Sequence, residues 1–377
     1  MNDITRRTFV GLAALAGAAT ATQPFAAAAQ SKTKIDFAVD GIPLMPAEYA
    51  DLLTRLAAGS NIAADEYLLG GAVAVLEAQF AALLGKEVAV FMPSGTLANH
   101  LAVRTLAGSR RRVIVQEMCH LYNDSGDCAQ QLSQLNLIPL APGKATFAWD
   151  DVVRVLDRSA SGRAAIEVGA ISIESPVRRL HGETFDFAEM QRISTEARRR
   201  GIGMHLDGAR LFVACAYSKR QPEEYAALFD TVYVSLWKCF NAAGGAVLAG
   251  SRELLADLFD VRRMFGGALW QAWPYAAIAS HYARGYLERL TVAVRVGEEF
   301  LEQLSGDQRF VLERVANGTS LFHLTPRGVD PASFRERLGM MGITVPPPDG
   351  GGFWLRVNET LRSASATSLA AAFRSAL

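Results

Sequence analysis

Apolar residues recur at three- and four-residue spacing from about Pro46 to Gly85: Tyr49, Leu52, Leu53 and Leu56, then Val75, Leu76, Phe80 and Leu83. That is a helical period, and Gly85 ends it. Beyond this point the period changes. Glu87 to Met92 reads as a buried strand, Thr96 to Leu106 as a helix closed by Gly108, and Val113 to Gln116 as a second strand. Apolar runs at Ala170 to Ile173, Gly203 to Leu206, Thr231 to Leu236 and Ala246 to Ala249 alternate with helical stretches such as Phe187 to Arg199. Strands alternating with helices predict an α/β fold, a mostly parallel sheet with helices on both faces. After about Arg284 a long helical stretch leads into short strands near Phe310, Leu321 and Phe353, with helices around Phe334 and Leu369, the pattern of a smaller α+β domain. The predicted boundaries are an N-terminal segment at residues 30–55, a large domain at 56–284 and a small C-terminal domain at 285–377.

Residues 1–29 read differently. Thr5-Arg6-Arg7-Thr8-Phe9-Val10 is a twin-arginine pattern, followed by an uncharged Gly/Ala-rich stretch and the small-residue run Ala26 to Ala29. These are the parts of an export signal of the twin-arginine type. Pro24 interrupts the stretch before a membrane span of about 20 residues is complete. The expectation is a periplasmic or secreted protein with no membrane contact after signal removal. Because that route carries folded proteins, it suits a chain that acquires a cofactor before it leaves. The four cysteines would then meet an oxidising compartment, where one disulfide is possible.

Charge narrows the function classes. Lys+Arg 38 balances Asp+Glu 38 over 377 residues, so there is no basic footprint for nucleic acid. Only six of the basic residues are lysines: Lys32, Lys34, Lys86, Lys144, Lys219 and Lys238. Chemistry that needs an amine therefore has few candidates, and Lys238 alone follows an apolar strand that would withhold it from water. Burial lowers a lysine pKa and leaves the amine nucleophilic.

Two further groups join it. Pro93-Ser94-Gly95-Thr96 stands between a strand and a helix, where backbone N–H groups at the helix N-terminus bind a phosphate. His205-Leu206-Asp207-Gly208-Ala209-Arg210 ends a strand, the edge at which parallel sheets bind ligands. A phosphate turn, an acid at a strand end and a semi-buried lysine one strand later are the parts of a pyridoxal phosphate site. The lysine holds the aldehyde as a Schiff base, Asp207 keeps the pyridine nitrogen protonated, and the helix N-terminus anchors the phosphate.

The chain resembles the threonine aldolase and aromatic amino acid β-eliminating lyase family of fold-type I pyridoxal phosphate enzymes. The matching segments are Phe91 to Asn99, His205 to Phe212, Lys238 with Gly245 to Ser251, and Arg263 to Gly267. The resemblance implies that residues 56–284 bind the cofactor, with Lys238 as the Schiff-base lysine, Asp207 as the pyridinium partner and Ser94, Gly95 and Thr96 as the phosphate turn. It implies His120 stacked on the ring, Arg210 on the substrate carboxylate or a cofactor oxygen, and Arg356 on the α-carboxylate. Arg263 would reach the phosphate across a subunit interface, so a homodimer or homotetramer is expected, with an amino acid as substrate.

There are departures. The family's Arg-Ser-Asp-Thr segment has no equivalent in Asp36 to Gly41, its Glu-Asn-Thr-His segment appears as Glu174-Ser175-Pro176-Val177, and Trp270 replaces an interface arginine. Arg178, Arg179 and His181 are polar replacements nearby, and Trp237, Trp270 and Trp273 are expected to narrow or line the pocket. The reading implied is Cα–Cβ cleavage of a β-hydroxy amino acid, with β-elimination, racemisation or transamination as alternatives on the same cofactor. From another class, Cys119, His120, Cys128, His205 and Asp207 have ligand chemistry for zinc and suggest a metallohydrolase. An exported, non-catalytic binding protein is the third reading.

Overall fold

The apolar runs pair edge to edge in a computed structural model that describes residues 35–59 and 62–377; the expected signal at 1–29 lies outside the described residues. The strands are β1 (Ile35–Asp36), β2 (Val88–Met92), β3 (Arg112–Gln116), β4 (Asn136–Leu140), β5 (Val168–Glu174), β6 (Gly203–Asp207), β7 (Thr231–Ser235), β8 (Ala246–Gly250), β9 (Phe310–Arg314), β10 (Leu321–Pro326), β11 (Ile343–Thr344) and β12 (Phe353–Arg356). Seven of them form the central sheet in the order β2-β8-β7-β6-β5-β3-β4. The run from β7 to β4 is parallel, and β8 lies antiparallel to both of its neighbours. β5, β7 and β8 are buried at every position, as strands covered by helices on both faces must be.

The helical period before Gly85 resolves into α1 (Pro46–Gly59) and α2 (Gly71–Leu83), with α3 (Gly95–Ala107) following β2. β4 was absent from the expected strands because its Asn136-Leu-Ile-Pro-Leu140 sequence carries a proline. As the last strand in the sheet order it occupies an edge, where a missing N–H costs nothing.

The C-terminal part has its own antiparallel sheet, β12-β10-β9. Strand β1 pairs in parallel with β11, Ile35 opposite Ile343, so the first described residues are joined to the C-terminal part rather than forming a segment by themselves. Phe37 continues that attachment, its ring 5.8 Å from Phe300, which in turn lies 4.9 Å from Phe373.

An aromatic cluster underlies the middle of the sheet. Phe240 stands edge-on to Phe80 and to Phe212, each with centroids 5.1 Å apart, and 4.9 Å from Tyr286. These rings are essentially without solvent access. Phe240→Ala would leave a ring-sized cavity beneath the Lys238 turn, and a loss of about 3–5 kcal/mol in unfolding free energy is expected from urea titration.

Candidate active site

Five strand ends open on one cavity of about 480 Å³, lined by Ser94, Gly95, Thr96, His120, Glu174, Arg178, Asp207, Arg210, Tyr233, Trp237, Lys238 and the Ala243–Gly245 turn among others. The phosphate turn, the acid and the lysine named from the sequence thus face the same space. Ser94 is the N-cap of α3 and its Oγ accepts from Leu97 N–H at 3.2 Å. Its carbonyl takes Ala98 N–H. The N–H groups of Gly95 and Thr96 have no partner inside the helix and lie at the positive end of its dipole. Gly95 is required there: a Cβ would stand 2.0 Å from the Tyr233 hydroxyl.

At the end of β6, Asp207 Oδ2 accepts from Asn99 Nδ2 at 2.5 Å and Oδ1 from Ala209 N–H at 3.1 Å. Asn99 Oδ1 in turn accepts from His205 Nε2 at 2.9 Å, so the imidazole carries its proton on that nitrogen, and His205 Nδ1 accepts from the Thr231 hydroxyl at 2.8 Å. His205 is fully buried, and that burial lowers its pKa to about 4. It is a neutral support for Asp207 rather than a group in the cavity.

His120 opens a short helix after β3. Its N–H donates to Glu174 Oε2 at 2.5 Å, while Glu174 Oε1 accepts Arg178 N–H at 2.8 Å. Gln116 braces the backbone of Glu174 in both directions, at 2.6 and 2.9 Å. Burial first, and then the neighbouring Asp207, push the Glu174 carboxyl well above the usual range. The Ser125 hydroxyl lies 3.3 Å from His120 Nδ1, and burial lowers the His120 pKa, with Lys238 adding to the effect against Asp207. His120 is therefore neutral near pH 7. Val177, where the family resemblance places a histidine, is completely buried.

Lys238 sits in a one-turn helix directly after β7 and is only 9% exposed. Burial is the main cause lowering its pKa, and Arg210 adds to it. The amine lies 5.3 Å from the centroid of Trp237, which remains half exposed at the cavity wall.

Arg210 and Arg356 converge on a residue that the sequence motifs did not single out, and of the two only Arg210 lines the cavity. Arg210 donates from Nε and Nη2 to Asp40 at 2.7 and 2.9 Å, and Arg356 donates from Nη1 to Asp40 at 2.6 Å. Burial opposes the Asp40 charge, yet the two guanidiniums prevail and hold its pKa at about 2. Glu174 and Arg178, noted in the sequence as part of and beside the altered family segment, line the cavity, while Asp40 and Asn99 support it through Arg210 and Asp207. Glu174 stands at a strand end, from which its side chain reaches the cavity, whereas Asn99, one turn into α3, is buried behind Asp207.

Other expectations fall outside the pocket. Arg263 is exposed and its guanidinium lies over Tyr67, 5.1 Å from the centroid. Trp270 packs edge-on against Tyr67 at 4.9 Å, so neither it nor Trp273 lines the cavity, in contrast to Trp237. Arg179, which shares Asp124 with the cavity-lining Arg178, also lies outside, as does His181, which stacks on Trp354 at 3.8 Å. All four cysteines are unpaired. Among the described residues no group of three or more His, Cys, Asp and Glu is placed to hold a metal ion, so the zinc reading has no ligand set there. Nor is any described helix long and apolar enough to cross a membrane.

Residues 53–326, most of the chain and every residue lining the cavity, match the family model for beta-eliminating lyases, whereas Asp40 and Arg356 lie outside the match. The chain belongs to the beta-eliminating lyase family. Enzymes of this family and its structural neighbours use pyridoxal phosphate. A protein of Schizosaccharomyces pombe assigned as a low-specificity L-threonine aldolase is 30% identical over 203 residues, 54% of this chain and 53% of that protein. The chain thus spans about half the length of the curated relatives it matches. Among solved structures, one from Exiguobacterium sp. assigned to the aromatic amino acid beta-eliminating lyase/threonine aldolase group superposes with TM-score 0.76 at 25% identity, covering 92% of this chain and 99% of the other. One from Listeria monocytogenes assigned as an L-allo-threonine aldolase gives 0.75 at 25%, covering 92% and 98%. The mixed sheet, its helices and the separate C-terminal antiparallel sheet are those of the fold-type I enzymes.

The depressed His205 pKa has a consequence for stability. Between about pH 6.5 and pH 4 the unfolded chain binds a proton that the folded chain does not, so stability falls as the pH is lowered through that window. The wild type is expected to lose up to about 3 kcal/mol more than His205→Gln on acidification from pH 7 to pH 4, measured by urea titration at each pH.

Proposed function

We propose that the chain is a pyridoxal phosphate-dependent lyase that cleaves the Cα–Cβ bond of a β-hydroxy amino acid, releasing an aldehyde and a smaller amino acid. The observation that carries this reading is the convergence of a buried lysine amine, a doubly anchored carboxylate and an open helix N-terminus on one cavity. The cofactor supplies an aldehyde for an amine and a ring that accepts electrons. The donor set fits it: the N–H groups of Gly95 and Thr96 would hold a phosphate, Asp207 would keep a proton on a ring nitrogen, and Lys238 offers an amine that burial biases towards its neutral form.

The substrate end falls to Arg210 and Arg356, which bind a carboxylate by charge-assisted hydrogen bonds. His120, kept neutral, is the only imidazole lining the cavity among the described residues. It is the group suited to take the proton of a β-hydroxyl, since Val177 offers none. The exposed Tyr67, Met264 and Trp270 around Arg263 support a second copy packed on this face, with Arg263 completing the partner's phosphate site.

The test is the visible spectrum of the purified protein with added pyridoxal phosphate, for the wild type and Lys238→Ala, followed by a screen of β-hydroxy amino acids for aldehyde release. A band that borohydride removes is expected in the wild type and not in the variant, whose turnover should fall at least about 10³-fold. Absence of any band overturns the cofactor reading. A band with pyruvate and ammonia released, or with inverted Cα configuration, overturns the aldol reading alone.

The twin-arginine pattern supports export of the folded chain. In a bacterial host the periplasmic protein is expected to begin near residue 30, and Arg6→Lys/Arg7→Lys to retain the protein in the cytoplasm, read by N-terminal sequencing and fractionation. Equal export of the double variant would count against it.

A further inference from the structure

The segment from Asp36 to Ile42 is a strap that runs from the C-terminal sheet to the turn of Lys238. At one end Arg356 N–H donates to the Phe37 carbonyl at 2.9 Å, and Asn358 Nδ2 to the carbonyls of Asp36 and Val39 at 2.7 Å each. At the other end Ile42 N–H donates to Asn241 Oδ1 at 2.7 Å. Gly41 closes against that turn with no room for a side chain: a Cβ would stand 2.2 Å from Asn241 Oδ1 and 2.7 Å from the Lys238 carbonyl oxygen. Asp40 is carried between these anchors, its side chain 10% exposed, with Oδ1 shared by Arg210 and Arg356 and Oδ2 taken by Arg210.

The three side chains together hold two positive charges and one negative, a net charge of +1. No protein group among the described residues takes Arg210 Nη1 or Arg356 Nε and Nη2, so donors remain for one incoming carboxylate. A second carboxylate would be stripped of water against guanidiniums whose charge is already half neutralised, and burying it there is unfavourable. Rejection of this kind is how a site discriminates between ligands that share a head group.

We propose that Asp40 is a specificity-determining residue: by neutralising one of the two guanidiniums it sets the carboxylate end of the cavity for amino acids with a single carboxylate and against those with a second one on the side chain. This rests on the reading of Arg210 and Arg356 as the substrate-carboxylate end. Asp40→Asn keeps an acceptor in place and raises the local charge to +2, releasing a guanidinium fork for a second anion. Adding Arg356→Gln returns the charge to +1.

The experiment titrates the full-length protein, loaded with pyridoxal phosphate, with propionate and with succinate by calorimetry, and reads the ratio of the two affinities. Asp40→Asn is expected to shift the ratio towards succinate by about tenfold or more, and Asp40→Asn/Arg356→Gln to bring it back to within about twofold of wild type. An unchanged ratio in a folded Asp40→Asn protein overturns the proposal, as does a double variant that stays shifted. Should Asp40→Asn fail to fold, Arg356→Gln alone leaves Asp40 paired to Arg210 and the charge at zero. Propionate binding must then weaken about tenfold, and unchanged binding overturns the proposal equally. The visible band is recorded on the same samples. A protein without the band but with the expected anion ratios would sink the lyase reading and leave Asp40 in its role, whereas the reverse pattern would do the opposite.

Discussion

Charge taken out of water has to be answered by charge or by hydrogen bonds, and the architecture around the cavity follows from that requirement. A buried ion pair gives little net stability, but breaking one leaves an uncompensated charge that is costly. Asp40, Arg210 and Arg356 come from the N-terminal strap, the end of β6 and the C-terminal sheet, and none of the three could be buried without the others. The clamp therefore specifies how the C-terminal part meets the central sheet, where apolar packing alone would tolerate small displacements.

The same requirement organises the acid. His205 and Asp207 lie two residues apart on β6 and so point to one face, beneath α3. Only Asp207, at the strand end, reaches the cavity. His205 lies one rung deeper, opposite Thr231 in the register, and its role is to orient the Asn99 amide. An amide fixed at its oxygen has both N–H bonds aimed, and one of them is aimed at Asp207. Glu174 serves His120 in a comparable way: the side chain of one residue secures the backbone of the other, and Gln116 secures Glu174.

Much of this was legible where a polar residue ended an apolar run. Ser94 to Thr96 after β2, Asp207 at the end of β6 and Lys238 after β7 stood out because strands buried on both faces leave few positions for such groups. Asn99 did not, since a single polar residue in a helix has no signature until the strand beneath it is known. Asp40 was invisible for a stronger reason: its partners are 170 and 316 residues away, and no local pattern encodes that pairing. The tryptophans divided by topology, with Trp237 attached to the lysine turn and Trp270 turned outward to Tyr67.

The pairing of β1 with β11 gives the molecule a temporal order. Asp36 and Asp40 are synthesised among the first of the described residues, but Thr344 and Arg356 that receive them come near the end. Closing a loop of that length costs entropy that no local contact repays. The central sheet and its helix N-terminus consist of segments available earlier, so a partly made chain reaches its ligand-binding strand ends before the C-terminal anchors of the strap exist. The three-membered clamp forms only once β12 is made: until then Asp40 has Arg210 alone to pair with, and the second guanidinium is missing.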